Sequence, residues 1–223
     1  MPEQQVGERY FPEIFDTPSV KQAKEIILTN EGGADSETRW QTETPYVIEL
    51  ILRAFTLGSD MVVLDYGCGI GRMAKAMIDA SGCSVIGVDI SQHMRRLACD
   101  YVASDRFMVV SPNQYDMMVH AGLRVHAAIA VWVLQHCLKP AEDIARIRRG
   151  LIPSGGVFVL NIPRRAVPKL DGGNKFSFAP DGVDIAALLQ AEFRVQVEGA
   201  PDQSQIKNMA EAGAYWMSLR PRN

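Results

Sequence analysis

Five short runs rich in aliphatic and β-branched residues recur after residue 60: MVVLDY (61–66), SVIGVDI (84–90), RFMVV (106–110), AAIAVWVL (127–134) and GVFVLNI (156–162). The segments between them carry helical spacing, as in Met73, Met77 and Ala80 or Ile144, Ile147 and Leu151. Strands alternating with helices require a parallel sheet covered on both faces. Helix starts fall where that order needs them. Ser91 can cap a helix through Met94 and Leu97, and Lys139-Pro140 opens one through Ile147. Two further strand candidates, FRVQVE (193–198) and YWMSLR (215–220), follow a helix around Ile185, Leu188 and Leu189 and stand too close together for a parallel crossover. The expectation is an α/β fold: a seven-stranded, mostly parallel sheet with helices on both faces and the last strand antiparallel. Residues 1–59 read as an N-terminal helical cap over the sheet's edge, with two helices starting at Thr17-Pro18 and Thr44-Pro45, and residues 60–223 as the main domain, the two forming one compact unit.

The 223 residues carry 23 Lys plus Arg against 26 Asp plus Glu, a formal charge of -3, so no general cationic field exists to attract a phosphate backbone. Nucleic acid is not the expected partner. Cys68, Cys83, Cys99 and Cys137 form neither a CxxC pair nor a compact disulfide framework, and the four histidines show no metal-ligand spacing. The N-terminus is polar and the longest apolar run, Ala127 to Leu134, is far short of the ~18 to 20 residues that span a bilayer. The expectation is a cytoplasmic protein with no membrane partner and no metal; the sequence sets no oligomeric state.

The sharpest local signal is VVLDYGCGIGR, where Gly67, Gly69 and Gly71 stand as GxGxG between a strand and a helix. Such a turn needs positive φ, and the missing side chains let a ligand touch the backbone. Eighteen residues past Gly71 the second strand ends at Asp89, whose carboxylate would stand at the carboxyl edge of the sheet and could accept both hydroxyls of a ribose. A dinucleotide fingerprint, GxGxxG, would need glycine where this chain has Arg72, which opposes an NAD(P)-dependent oxidoreductase. With VIGVDIS, AAIAVWVLQH, IARIRRGL, LIPSGGVFVL and the closing strand pair in matching order, the chain resembles the class I S-adenosylmethionine-dependent methyltransferases over roughly residues 45 to 220.

That resemblance implies S-adenosylmethionine as cofactor and assigns roles by position. Asp65 would orient the methionine amino group, Gly67, Gly69 and Gly71 would form the backbone platform, Asp89 would clamp the ribose and Ile90 would pack on the adenine. Many family members place an acid after the third strand. This chain has Ser111-Pro112-Asn113 there, so Asn113 is the candidate adenine contact.

Methyl transfer from a sulfonium can rest on proximity and alignment, with a base useful where the acceptor atom carries a proton. His136, just past the end of the fourth strand, is the best-placed base, although it could instead cap or pack the loop before Pro140. Trp132 and Gln135 could line the same pocket. Arg164 and Arg165, with Lys169, Phe176 and Phe178 in the long polar loop after the fifth strand, could hold a substrate. The chain has neither a (D/N)PP(Y/F) motif nor a Pro-Cys nucleophile, so the expected acceptor is a small molecule. The rival reading from another class is a non-catalytic S-adenosylmethionine-binding protein on the same fold.

Overall fold

A computed structural model describes residues 9–170, 176–179, 181–206 and 213–222. Its centre is a seven-stranded sheet of β2 (Val62–Tyr66), β3 (Ser84–Val88), β4 (Phe107–Val110), β5 (Val125–Val131), β6 (Leu151–Asn161), β9 (Phe193–Gly199) and β10 (Tyr215–Pro221), in the order β4-β3-β2-β5-β6-β10-β9. The first five are parallel neighbours. β10 lies between β6 and β9 and runs antiparallel to both. The chain order thus reverses between β2 and β5, and the carboxyl ends of the strands open a crevice there, where open α/β sheets bind ligands.

Two cores follow from sheet burial on both faces. One packs α5 (Pro112–His120), α6 (Pro140–Gly150) and α7 (Ile185–Glu192) through Tyr115, Ile144, Ile147, Ile185 and Leu189. The other packs α3 (Arg72–Ser81), Val102 of α4 (Gln92–Val102) and α2 (Ser36–Ala54). Val47, Ile48 and Ile51 of α2 sit with Val63, Ile129, Phe158 and Leu160, so the N-terminal helix covers the sheet's face and not its edge. Burying that apolar stripe fixes the helix more strongly than its own propensity does. A shorter helix, α1 (Val20–Ile27), precedes it, capped by Ser19 next to the expected Thr17-Pro18 start.

Two local expectations need correction. The second helix does not begin at Thr44-Pro45: Asp35 caps it through the Thr38 N–H, and Pro45 lies inside a helix of 19 residues. Tertiary packing of the stripe offsets the lost hydrogen bond. The stretch after β6 is not a plain loop either. β7 (Val167–Leu170) and β8 (Phe176–Ala179) pair antiparallel, and β1 (Arg9–Tyr10) adds to β7 to make a separate three-stranded sheet. The terminal pair is antiparallel as expected, with β10 between β6 and β9.

Gly71, one of the expected cofactor glycines, caps α3 at φ 82°. A Cβ there would lie 2.4 Å from Cγ2 of Val102, so its service is to the approach of α4. Gly71→Ala combines a left-handed backbone with overpacking, and the expected cost is about 2 to 4 kcal/mol, read from urea unfolding.

Candidate active site

The turn after β2 holds φ 75° at Gly67 and 54° at Gly69. Cβ atoms there would stand 2.2 Å from Val133 and 2.6 Å from Ile27, so the loop after β5 and helix α1 both rest against bare backbone. Asp89, half-buried at the end of β3, accepts from the Gly69 N–H through Oδ2 and from the Ser91 N–H through Oδ1, each at 2.8 Å. Burial raises its pKa, and those two donors oppose the rise. Ile90, next in line, is 54% exposed.

These residues share one cavity of about 720 Å³ with Asn113, Trp132, Gln135 and His136. Asp65 is not in its lining. Its carboxylate lies beneath the turn, accepting the Ala74 N–H at 3.1 Å, and burial raises it from 3.8 to about 7 against the pull of Arg72. Arg72 is buried too, its guanidinium 5.6 Å from the Trp40 ring centre and 3.3 Å from Thr44 Oγ1, which ties α3 to α2. At the same end of the cavity, Arg39 donates to Glu43 and to the Thr29 carbonyl at 2.6 Å each and stands 3.6 Å from Glu31.

The other end is aromatic. Trp132 takes φ 58°, an unusual conformation for a bulky residue, where the chain leaves β5 for a 3-10 turn over Leu134–His136. His136 stands between Phe15 and Phe178, its ring centre 5.3 and 5.7 Å from theirs, and Tyr10 lines the same wall. The Phe176 side chain, also expected there, lies outside the described residues. His136 Nδ1 is 2.7 Å from the Ala166 carbonyl, which can only accept, so Nδ1 carries the proton and Nε2 the lone pair. Gln135 Nε2 approaches that lone pair at 3.3 Å. Burial lowers the His136 pKa below 6.5, leaving the ring neutral at pH 7.

Arg164 and Arg165 do not line the cavity. Arg164 is exposed. Arg165, its side chain only 1% exposed, bonds Asp181 through Nε and Nη2 and donates to the carbonyls of Leu134, Cys137 and Leu138. It clips the loop that carries His136 and has no donor to spare for a substrate. Among the described residues no group of three His, Cys, Asp or Glu could hold a metal ion, and no helix is long and apolar enough to cross a membrane.

The profile of the methyltransferase domain family matches residues 39–222. The chain belongs to that family. It is therefore an enzyme of S-adenosylmethionine-dependent methyl transfer. No curated protein matches it in sequence. In fold this methyltransferase is similar to the PH0226 protein from Pyrococcus horikoshii OT3, with 18% identity, a TM-score of 0.61 and cover of 82% of this chain and 91% of that one. It is also similar to the CcbJ methyltransferase from Streptomyces caelestis, with 15% identity, 0.61, 93% and 99%. The [4+2]-cyclase SpnF gives 17%, 0.59, 87% and 86%. At such identities the likeness is one of fold.

The buried acid carries a pH signature. Asp65 loses its proton near 3.8 when unfolded and near 7 when folded, so between those values the folded chain holds a proton that the unfolded chain has lost. Stability then falls as pH rises through that window. Asp65→Asn is expected to remove this contribution, flattening the slope of unfolding free energy between about pH 4 and pH 7. An unchanged slope, measured by denaturant titration across that range, would show Asp65 to be ionised in the fold.

Proposed function

We propose that this methyltransferase acts on a small-molecule acceptor, with His136 as the general base. The observation that carries the reading is the continuity of a single cavity from the Gly67–Gly69 turn and Asp89 to His136, walled by Tyr10, Phe15 and Phe178. A volume near 720 Å³ lies within the ~300 to 1,000 Å³ range of small-molecule sites.

S-adenosylmethionine, when bound, supplies a methyl group on a positively charged sulfur. The residues present fit such a group. Gly67 and Gly69 line the cavity, the Asp89 carboxylate can take ribose hydroxyls, and the exposed Ile90 side chain offers an apolar surface for a base. Asn113, on the cavity wall, supplies an amide beside that surface. Asp65 acts through the turn, by holding the first residues of α3. The buried polar atoms Glu31 Oε2 and Trp132 Nε1 have no hydrogen-bond partner among the described residues, which fits a site completed by a ligand.

At the acceptor end the chain positions one base. The Ala166 carbonyl holds the imidazole tautomer and leaves Nε2 to take a proton from an acceptor hydroxyl or amine. Gln135 occupies that lone pair in the resting site, so its amide must turn aside. Its Oε1, buried without a partner among the described residues, can then accept from the protonated Nε2. Phe15 and Phe178 pack against the imidazole with tilted rings. The remaining catalytic device is alignment.

Two variants separate the roles. Asp89→Asn keeps one acceptor for the turn and removes the charge, so S-adenosylhomocysteine binding is expected to weaken by ~1.5 to 3 kcal/mol in calorimetric titration. His136→Ala should leave that affinity near wild type while turnover of an acceptor, found by transfer of a labelled methyl group to a metabolite panel, falls roughly 100-fold to 10,000-fold. Normal turnover in His136→Ala would make the histidine a packing residue. Cofactor binding with no transfer to any small molecule, and transfer to RNA or protein in its place, would overturn the acceptor class.

A further inference from the structure

The chain from Arg9 to Asp16 runs along the acceptor end of the cavity as a strap. At its start β1 pairs with β7, and the Phe11 N–H donates to the Pro168 carbonyl at 3.0 Å. A 3-10 turn over Pro12–Phe15 then carries the chain to the start of α4. Tyr10 and Phe15 line the cavity from this strap, and the Phe15 ring centre is the one 5.3 Å from that of His136. Lifting the strap would therefore remove one side of the acceptor wall. No residue from Arg9 to Asp16 is fully buried, so little apolar burial holds it down.

Its far end is fastened by one carboxylate. Asp16 Oδ1 accepts from the Ser91 hydroxyl and, at 3.3 Å, from the His93 N–H, while Oδ2 lies 2.7 Å from His93 Nδ1. The side chains of Asp16 and His93 keep 37% and 43% exposure, so this fastening can open without breaking a core. Ser91 is shared with the cofactor site. Its backbone N–H donates to Asp89 Oδ1 at 2.8 Å, and its hydroxyl, which donates to Asp16, also accepts the Met94 N–H at 3.0 Å as the cap of α4. One residue thus joins, by direct hydrogen bonds, the carboxylate that can take ribose hydroxyls to the carboxylate that fastens the strap. A ligand that fixes Asp89 also fixes Ser91, and a fixed Ser91 presents its hydroxyl to Asp16 in one direction.

We infer that Asp16 is a positioning residue that couples the two ends of the site: with the cofactor on Asp89 the Ser91–Asp16 link tightens, the strap closes and Phe15 is set against His136. The inference rests on the cofactor and acceptor reading above and adds an order to it, cofactor first and acceptor second. Such coupling is reciprocal, so a loosened strap also weakens the hold on the cofactor.

Hydrogen exchange of the full chain, read by mass spectrometry with and without saturating S-adenosylhomocysteine, tests it. In the wild type the ligand is expected to slow exchange of segment 9–17 at least about fivefold, the lower end of ordinary coupling between sites. In Asp16→Ala the ligand is expected still to bind, more weakly, and to leave exchange of that segment unchanged. A merely structural Asp16 would speed exchange by the same factor in both states, and direct contact between ligand and strap would leave the slowing intact in the variant; either result overturns the inference. Should Asp16→Ala not fold, His93→Ala, which removes one of the two side chains bonded to Asp16, is expected to reduce the slowing, and an undiminished effect overturns the inference. Failure to bind S-adenosylhomocysteine in calorimetric titration overturns the cofactor reading and this inference with it, whereas binding without slower exchange of the strap overturns this inference only.

Discussion

The turn between β2 and α3 constrains everything around it. Three glycines in left-handed conformations within five residues reverse the chain in the space of one strand end, and each missing Cβ is filled by a different neighbour: Val133 at Gly67, Ile27 at Gly69 and Val102 at Gly71. The loop after β5, the N-terminal cap and α4 are thereby all referred to the same few backbone atoms. Asp89 closes the arrangement from β3 by accepting the Gly69 N–H. A side chain at Gly67 or Gly69 would displace a wall of the cavity and one at Gly71 would displace α4, so the geometry of the site and the packing of the fold are one problem.

Buried charges tie the outer pieces to this centre. Arg72, the residue that breaks a dinucleotide fingerprint, feels the Glu43 charge and then Asp65 below the turn, and lies over the Trp40 ring on α2. Arg39 joins Glu43, Glu31 and the Thr29 carbonyl within the cap. At the opposite end Arg165 fastens the His136 loop to Asp181 and so to the segment beyond β8. Burying such ions costs desolvation, and hydrophobic replacements are often no less stable, so their service is to fix one arrangement of loops over the cavity. That service suits an enzyme whose chemistry depends on alignment.

The sheet and its glycine turn were legible because they rest on local rules, apolar runs of strand length, caps such as Ser91 and the short spacing of Gly67, Gly69 and Gly71. Asp89 and His136 follow from strand ends, which place side chains at the same edge of a parallel sheet. The misreadings are all long-range. β1 and β7 pair across about 160 residues of chain, and neither is long enough to announce itself. Pro45 reads as a helix start until the stripe of Val47, Ile48 and Ile51 is seen to continue a helix begun at Asp35. Arg165 reads as a substrate-holding cation because the five acceptors that consume it come from elsewhere in the chain, and Asp143 and Arg146 draw no reading at all until Tyr66 and the cavity are set beside them. The one available signal for that pair was its position in the first turns of a helix that starts at the mouth of the site.

The central claim is that the glycine turn and Asp89 form an S-adenosylmethionine site and not a dinucleotide site. Calorimetric titration of the full chain with S-adenosylhomocysteine and, separately, with NAD tests it most directly. The account predicts saturable binding of one S-adenosylhomocysteine per chain and no heat from NAD. Binding of NAD, or no binding of S-adenosylhomocysteine, would contradict it.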